Sequence, residues 1–385
     1  MKNSRACSFI SFFFVFLFVI PVGSYGDIRI GATISKTGKY KEPANMLLLG
    51  YQLWQKEVNE KGGLLGQKVT FIIYDDESKP QKSAELYRKL IEKDKVDLVL
   101  SPYSSSLTYA VSAVTEKYHY PLLAAGASAL GIWKRGFRYI FGVYALADRY
   151  FIGFLDISAE YGLKKLTIIC ENSRFPLDAA SGAEKWAKRF GLKVSSFITY
   201  PPGKPDFVNV LKQIRLKTPD AIILSAYPDD VYNFIRVMNK VSYKPRAFAA
   251  TIAPVFKDFG KRLGKEAEGV FGPSQWEANS RIPYPGTRNF IKKFKIFTGL
   301  TPTYHAASAY AACEILEMAI KANGLDREKI RNTVRATDTF TVLGRFKIDQ
   351  NGVQIGHNPV TIQWQNGKRE IIWPRKMQTA RPEFN

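Results

Sequence analysis

Two short serine-bearing segments, Ser101–Ser106 (SPYSSS) and Ala124–Ser128 (AAGAS), hold the residues of this chain best suited to binding chemistry. Serine hydroxyls beside free main-chain N–H groups at a helix start make a receptor for a carboxylate. Nothing near them is built to transform what is received. Asp75-Asp76 forms a carboxylate pair, but it follows a strand pattern and precedes a helix, where turn and cap duty accounts for it. His119, His305 and His357 are far apart, and none has HExxH or Cys-His spacing, so no metal site is expected. The chain has no GxGxxG after its first strand and no GxxxxGK[ST]. Gly126-Ala127-Ser128-Ala129-Leu130 lacks the second glycine of a GxSxG nucleophile elbow. These residues predict capture without catalysis or cofactor.

The serine turns need strands and helices to position them. Val96–Leu100 and Tyr120–Leu123 read as buried strands, and the first leads into a helical pattern at Leu107–Lys117. In an open α/β sheet, ligands gather outside the carboxyl ends of the strands, where both turns fall. Upstream, Ile28–Thr33 and Val69–Tyr74 read as strands. Between them a helix opened by Pro43 carries Leu47, Tyr51, Trp54 and Val58, and Gly62-Gly63 stops it. Lys79–Lys93 is the next helix. The same alternation returns with strands at Leu166–Cys170, Val194–Tyr200 and Ala221–Leu224 and helices between and after them. From Asn279 three helices follow one another: Gly286–Phe297, Tyr304–Asn323 and Asp326–Arg335. A strand-like Phe340–Ile348 comes next, and then a hairpin of Val360–Trp364 and Glu370–Trp373 across Asn366-Gly367. The reading is α/β: two similar doubly wound lobes with parallel sheets flanked by helices.

Bulk properties narrow the function further. At 385 residues the chain exceeds what one core usually serves. Residues 1–26 read as a cleaved signal: Lys2 and Arg5, the apolar run Phe12–Ile20, then Ser24-Tyr25-Gly26. That run is short for a membrane span, which needs about 20 apolar residues. Cys7 precedes the run and is therefore misplaced for lipidation at a cleavage site. Cys170 and Cys313 are expected to be buried and unpaired. The formal net charge is +22. Its densest run, Lys292-Lys293-Phe294-Lys295, alternates with apolar positions at helical spacing and reads as a solvated face. Nucleic acid is accordingly a poor partner, and acidic ligands are only weakly favoured.

In this setting the motifs resemble a known family. Ile28–Gly31, Thr37-Gly38-Lys39-Tyr40, Glu57-Val58-Asn59-Glu60-Lys61-Gly62-Gly63 and Tyr74-Asp75-Asp76-Glu77 are similar to the start of a type I periplasmic binding protein. The nearest group is the leucine/isoleucine/valine-binding proteins of branched-chain amino-acid ABC transporters, and the likeness runs through residues 27–365. It implies a three-segment hinge between discontinuous lobes, 27–146 with 279–336 and 147–278 with 337–385. It further implies that Ser104, Gly126 and Ser128, with Ala127 between, hold a ligand carboxylate, and that Tyr40 joins them. From the second lobe it points to Phe175 and Tyr227. The stretch that normally supplies an acid for a ligand ammonium is here Ala249-Ala250-Thr251-Ile252-Ala253, with Thr251 its polar member and no carboxylate. Asp148 and Asp229 stand as substitutes, although cap duty suits both. Tyr103 and Trp276 are expected to add flat apolar walls.

The expectation is an exported, monomeric solute receptor that closes on a small carboxylate and delivers it to a membrane permease. A small organic acid, aromatic or otherwise, is preferred over an amino acid, which stays open. A ligand sensor with the same pocket is the alternative, and an exported enzyme is disfavoured. Against the site residues stands their plain use, since serines in turns usually cap and aromatics usually fill cores.

Overall fold

The computed structural model describes residues 26–203 and 205–385, so residues 1–25 of the expected signal lie outside them. The chain begins β1 (Ile28–Ile34), α1 (Lys41–Glu60), β2 (Val69–Asp75), α2 (Pro80–Glu92), β3 (Leu98–Val99), α3 (Ser105–Lys117), β4 (Leu122–Ala124) and β5 (Ile140–Gly142). Strands β2-β1-β3 form one parallel sheet, and β4 pairs with β5 in parallel beside it. The register sets Ile34 against Asp75, and the aspartates brace the ends of these strands. Asp76 accepts bonds from Thr33 Oγ1 at 2.8 Å and Ser35 Oγ at 2.5 Å.

The second run is α4 (Ile152–Glu160), β6 (Lys165–Glu171), α5 (Arg174–Arg189), β7 (Lys193–Tyr200), α6 (Phe207–Arg215), β8 (Ala221–Ser225), α7 (Pro228–Lys240), β9 (Ala247–Ala250), α8 (Asp258–Leu263) and β10 (Val270–Ser274). Then come α9 (Thr287–Thr298), α10 (Tyr304–Asn323), α11 (Arg327–Ala336), β11 (Asp338–Thr341), β12 (Gly344–Lys347), β13 (Val360–Gln365) and β14 (Lys368–Trp373). In a seven-stranded sheet, β14-β13-β10-β9-β8-β6-β7, β13 alone runs against the other strands. Its strand β8 is buried throughout, as a strand covered on both faces must be.

Helix α10 lies along α1, and Gly50 makes the approach possible. A Cβ there would sit 2.3 Å from the Ala306 carbonyl oxygen. The expected single strand at Phe340–Ile348 is instead the β11–β12 hairpin, because Val342 and Leu343 turn into the core and Gly344, at φ 132°, closes the turn. This hairpin and the turn after it rest against the first sheet's side of the molecule. Val342 donates to Glu314 of α10 at 3.2 Å, and Gly142 of β5 donates to Gly352 at 2.7 Å.

The chain passes between the two sheets' sides after β5, after β10 and after β12, and one side chain ties the three passages together. Gln275 Nε2 donates to the Ala145 carbonyl and its Oε1 accepts from Ala145 N, both at 3.1 Å, while His357 Nε2 lies 3.3 Å from the same Oε1. Cys170 and Cys313 are buried and unpaired.

Candidate functional site

The two serine turns sit side by side at the ends of β3 and β4 and are bonded to each other. Ser101 Oγ accepts from Ala125 N at 2.9 Å, Tyr51 OH donates to the Ser101 carbonyl at 3.1 Å, and Ser308 Oγ donates to the Ala125 carbonyl at 2.7 Å. Ser104 N donates to the Gly126 carbonyl at 3.1 Å. The fit admits no side chain at Gly126, where a Cβ would lie 2.9 Å from both the Pro102 oxygen and Tyr103 Cα.

Ser104 is held at φ 97°, ψ 149°, a backbone conformation that costs a non-glycine residue about 1–3 kcal/mol and collects at functional sites. Its Oγ accepts a long 3.3 Å bond from Leu107 N as the cap of α3. Ser105, absent from the sequence expectation, accepts from Ser128 N and Ala129 N at 3.1 Å each. The main-chain donor expected at Ser128 is therefore engaged within the protein. The start of α3 and the Ser128 side chain remain as the polar ends of this wall.

These residues border a narrow space of about 10 Å³, room for about one water molecule. The first side contributes Tyr103, Ser104, Ser105, Gly126, Ser128 and Tyr304. The first passage adds Tyr144 and Tyr150, and the second side adds Phe175 and Tyr227. No lining side chain is an acid or a base. Burial pushes the hydroxyls of Tyr103, Tyr144, Tyr227 and Tyr304 well above the usual tyrosine range, and that of Tyr150 up to about 12. All five are hydrogen-bond donors at any working pH. The buried hydroxyls of Tyr144 and Tyr227 make no hydrogen bond of good geometry, with the hydroxyls of Ser308 and Tyr40 as their neighbours, and each is free to turn to an acceptor on a guest.

The other expected residues stand behind this lining. Tyr40 packs 4.8 Å from the Tyr227 ring and 6.1 Å from the Tyr103 ring, backing both rather than facing the cavity. Thr251 Oγ1 accepts from Ala226 N at 2.9 Å and donates to its carbonyl at 2.7 Å, which fixes the turn that presents Tyr227. Ala127 is packed in the core beside β4, and Trp276 is fully buried against Phe290 at 5.8 Å. Asp148 is covered by α5, where Gly182 comes so close that a Cβ would be 2.3 Å from Asp148 Cα. Asp229 opens α7 at an outer groove.

Sequence reasoning passed over Ser105, Tyr144, Tyr150 and Tyr304. The signal available was their place: a serine beside a nominated serine, and aromatics at the first passage and a helix start. It also passed over a contact between the sheets' sides. Lys39 Nζ, from the loop before α1, pairs with Glu171 at the end of β6 at 2.9 Å. The Glu171 carboxylate also accepts from Ser173 Oγ at 2.5 Å. Near it Arg262 and Glu42 face each other at 3.7 Å across the same mouth.

Two α/β units thus meet over a narrow, hydroxyl-lined space. A family model of periplasmic binding proteins matches residues 27–369. The Leu/Ile/Val-binding protein homolog 7 of Brucella suis is 25% identical over 372 residues, covering 90% of this chain and 92% of that protein. A crystal structure of the branched-chain amino-acid transporter substrate-binding protein LivJ from Streptococcus pneumoniae, in complex with isoleucine, superposes with a TM-score of 0.82 at 20% identity. It covers 90% of this chain and 100% of that one. A solute-binding protein of an ABC transporter from R. palustris, in complex with benzoate, gives a TM-score of 0.78 at 19% identity over 90% of this chain and 96% of that one. The chain belongs to the periplasmic binding proteins, with the type I fold of the branched-chain amino-acid group.

Proposed function

We propose that this protein is the extracytoplasmic receptor of an ABC importer and closes on one small carboxylate-bearing solute. The observation that carries the reading is the pair of hydroxyls, Tyr144 and Tyr227, free to turn from different parts of the chain toward one uncharged cavity. A carboxylate brings the acceptors such donors need. The uncharged, tyrosine-rich lining suits an aromatic or other small organic acid, or an amino acid, admitted when the two sides part. Relatives solved with isoleucine and with benzoate span the same range. The lobes of the receptor are 27–146 with 279–356 and 147–278 with 357–385, hinged where Gln275 gathers the passages; the expected boundary at 336/337 moves past the β11–β12 hairpin, which bonds to Glu314 and Gly142 on the first side. Ligand contacts made from both lobes bias such a hinge toward closure by their differential affinity. An extracytoplasmic site of action goes with this family and with the signal read in residues 1–26. The monomer hands its solute to a membrane permease.

A thermal-shift screen of amino acids, aromatic acids and short aliphatic acids tests the reading. A true ligand at about 100 times its Kd adds roughly 2.7 kcal/mol of stability. Ser104→Ala and Tyr227→Phe should each weaken that ligand roughly tenfold by calorimetry while the ligand-free melt stays within a degree or two. Unchanged affinity in both variants overturns the site.

A further inference from the structure

The walls of the cavity carry no charge, so its preference among ligands is decided by the charges just behind them. After burial and the neighbouring tyrosines, the carboxylates that raise the hydroxyl pKa values of lining residues are Glu171, acting on Tyr227, and Glu277, acting on Tyr304. Each is buried and each already has a cation from the chain. Glu277 takes Arg369 Nε at 3.1 Å, and Glu171 takes Lys39 Nζ at 2.9 Å. The two pairs differ in position. Arg369 lies on β14 and Glu277 on the passage that leaves β10 of the same sheet, whereas Lys39 reaches across from the other side. Its ammonium lies over the Tyr227 ring, 4.8 Å from the centroid, and 5.2 Å from that of Tyr40. Burial alone would lower the Lys39 pKa, but Tyr40 and Glu171 outweigh it and leave the group firmly protonated.

We propose that Lys39 is a specificity residue: its ammonium neutralises Glu171 at the mouth of the cavity, so that the site takes carboxylates lacking an α-ammonium and rejects the corresponding amino acids. A ligand ammonium brought beside Tyr227 meets neutral hydroxyls, a carboxylate already paired, and a fixed like charge. A buried cation without a counter-ion is strongly disfavoured. A deaminated ligand of the same shape suffers none of this. The proposal rests on the receptor reading above and narrows it to a ligand class.

The test compares matched ligands by calorimetry: 3-phenylpropionate with L-phenylalanine, and 4-methylpentanoate with L-leucine. Members of a pair share a shape, so the cost of closure cancels in their affinity ratio. Wild type should favour the deaminated member at least about tenfold. Lys39→Met, which frees Glu171 to attract a cation, should bring the ratio to within about threefold of parity. Glu171→Gln, which keeps the lysine, should retain the wild-type preference. A contact that serves only to hold the mouth shut would change both members equally in both variants. An unaltered ratio in Lys39→Met overturns the proposal, as does a wild type that prefers the amino acids or takes neither member of either pair. Tyr227→Phe separates the two failures. If it still weakens whichever member binds, the receptor reading stands and only the role of Lys39 is lost.

Discussion

At the scale of single residues, the site depends on positions where only one side chain fits. Gly126 is the clearest. Gly126→Ala drives a methyl into the Pro102 carbonyl and Tyr103 Cα, and the two serine turns must part to admit it. The expected outcome is a loss of about 1–3 kcal/mol in denaturant unfolding, together with loss of ligand-induced stabilisation. A variant that melts and binds as wild type does would show that the turns are not locked together. This residue was legible from its motif, as were Ser104, Ser128, Phe175 and Tyr227, which the structure brings to one cavity. Thr251 and Tyr40 were legible as neighbours but not as supports, because a residue's distance from a loop in sequence says nothing about which of its faces is turned inward. Ala127 and Trp276 went astray for the same reason, since buried small and aromatic residues look alike whether they line a cavity or fill a core.

At the scale of elements, apolar runs and turn residues located most strands and helices, because a parallel strand covered on both faces leaves a continuous hydrophobic run. What periodicity could not convey was the junction between the sheets. Its bonds join Ala145, Gln275 and His357, three residues far apart in sequence and unremarkable in type. Gln275→Leu keeps the bulk while stripping both partners from the Ala145 peptide groups. Each buried group left unpaired costs about 1–3 kcal/mol, so unfolding free energy should fall by a few kcal/mol. Urea denaturation checks this, and a change below about 0.5 kcal/mol would mean that water or relaxation replaces the bonds. The hairpin at β11 and β12 escaped detection for a related reason. The turn at Val342-Leu343 is made of apolar residues, whereas turn-finding relies on polar ones.

At the scale of the whole molecule, the two sides meet through buried groups whose ionisation can be followed. His305 on α10 stacks on Phe256 from the other side, with ring centroids 5.4 Å apart, and burial pushes its pKa down to about 3. Burial likewise lowers His357, at the junction, to about 4. An unfolded histidine titrates near 6.5, so the unfolded chain binds protons that the folded one refuses. The stability held by these two residues is complete above about pH 6.5 and is lost as the pH falls toward their folded values. Between pH 6.5 and 5 each should contribute a loss of about 2 kcal/mol, and His305→Gln should remove its own share from the pH profile of thermal melts. A profile unchanged by that substitution would show His305 to be protonated in the native protein. The cavity itself has a different consequence at this scale. Its walls come from both sheets' sides and from the strap between them, so an occupant enters and leaves as those sides part. A solute that bonds to both walls must break those bonds before the sides can part, so the tighter guest is also the slower to escape.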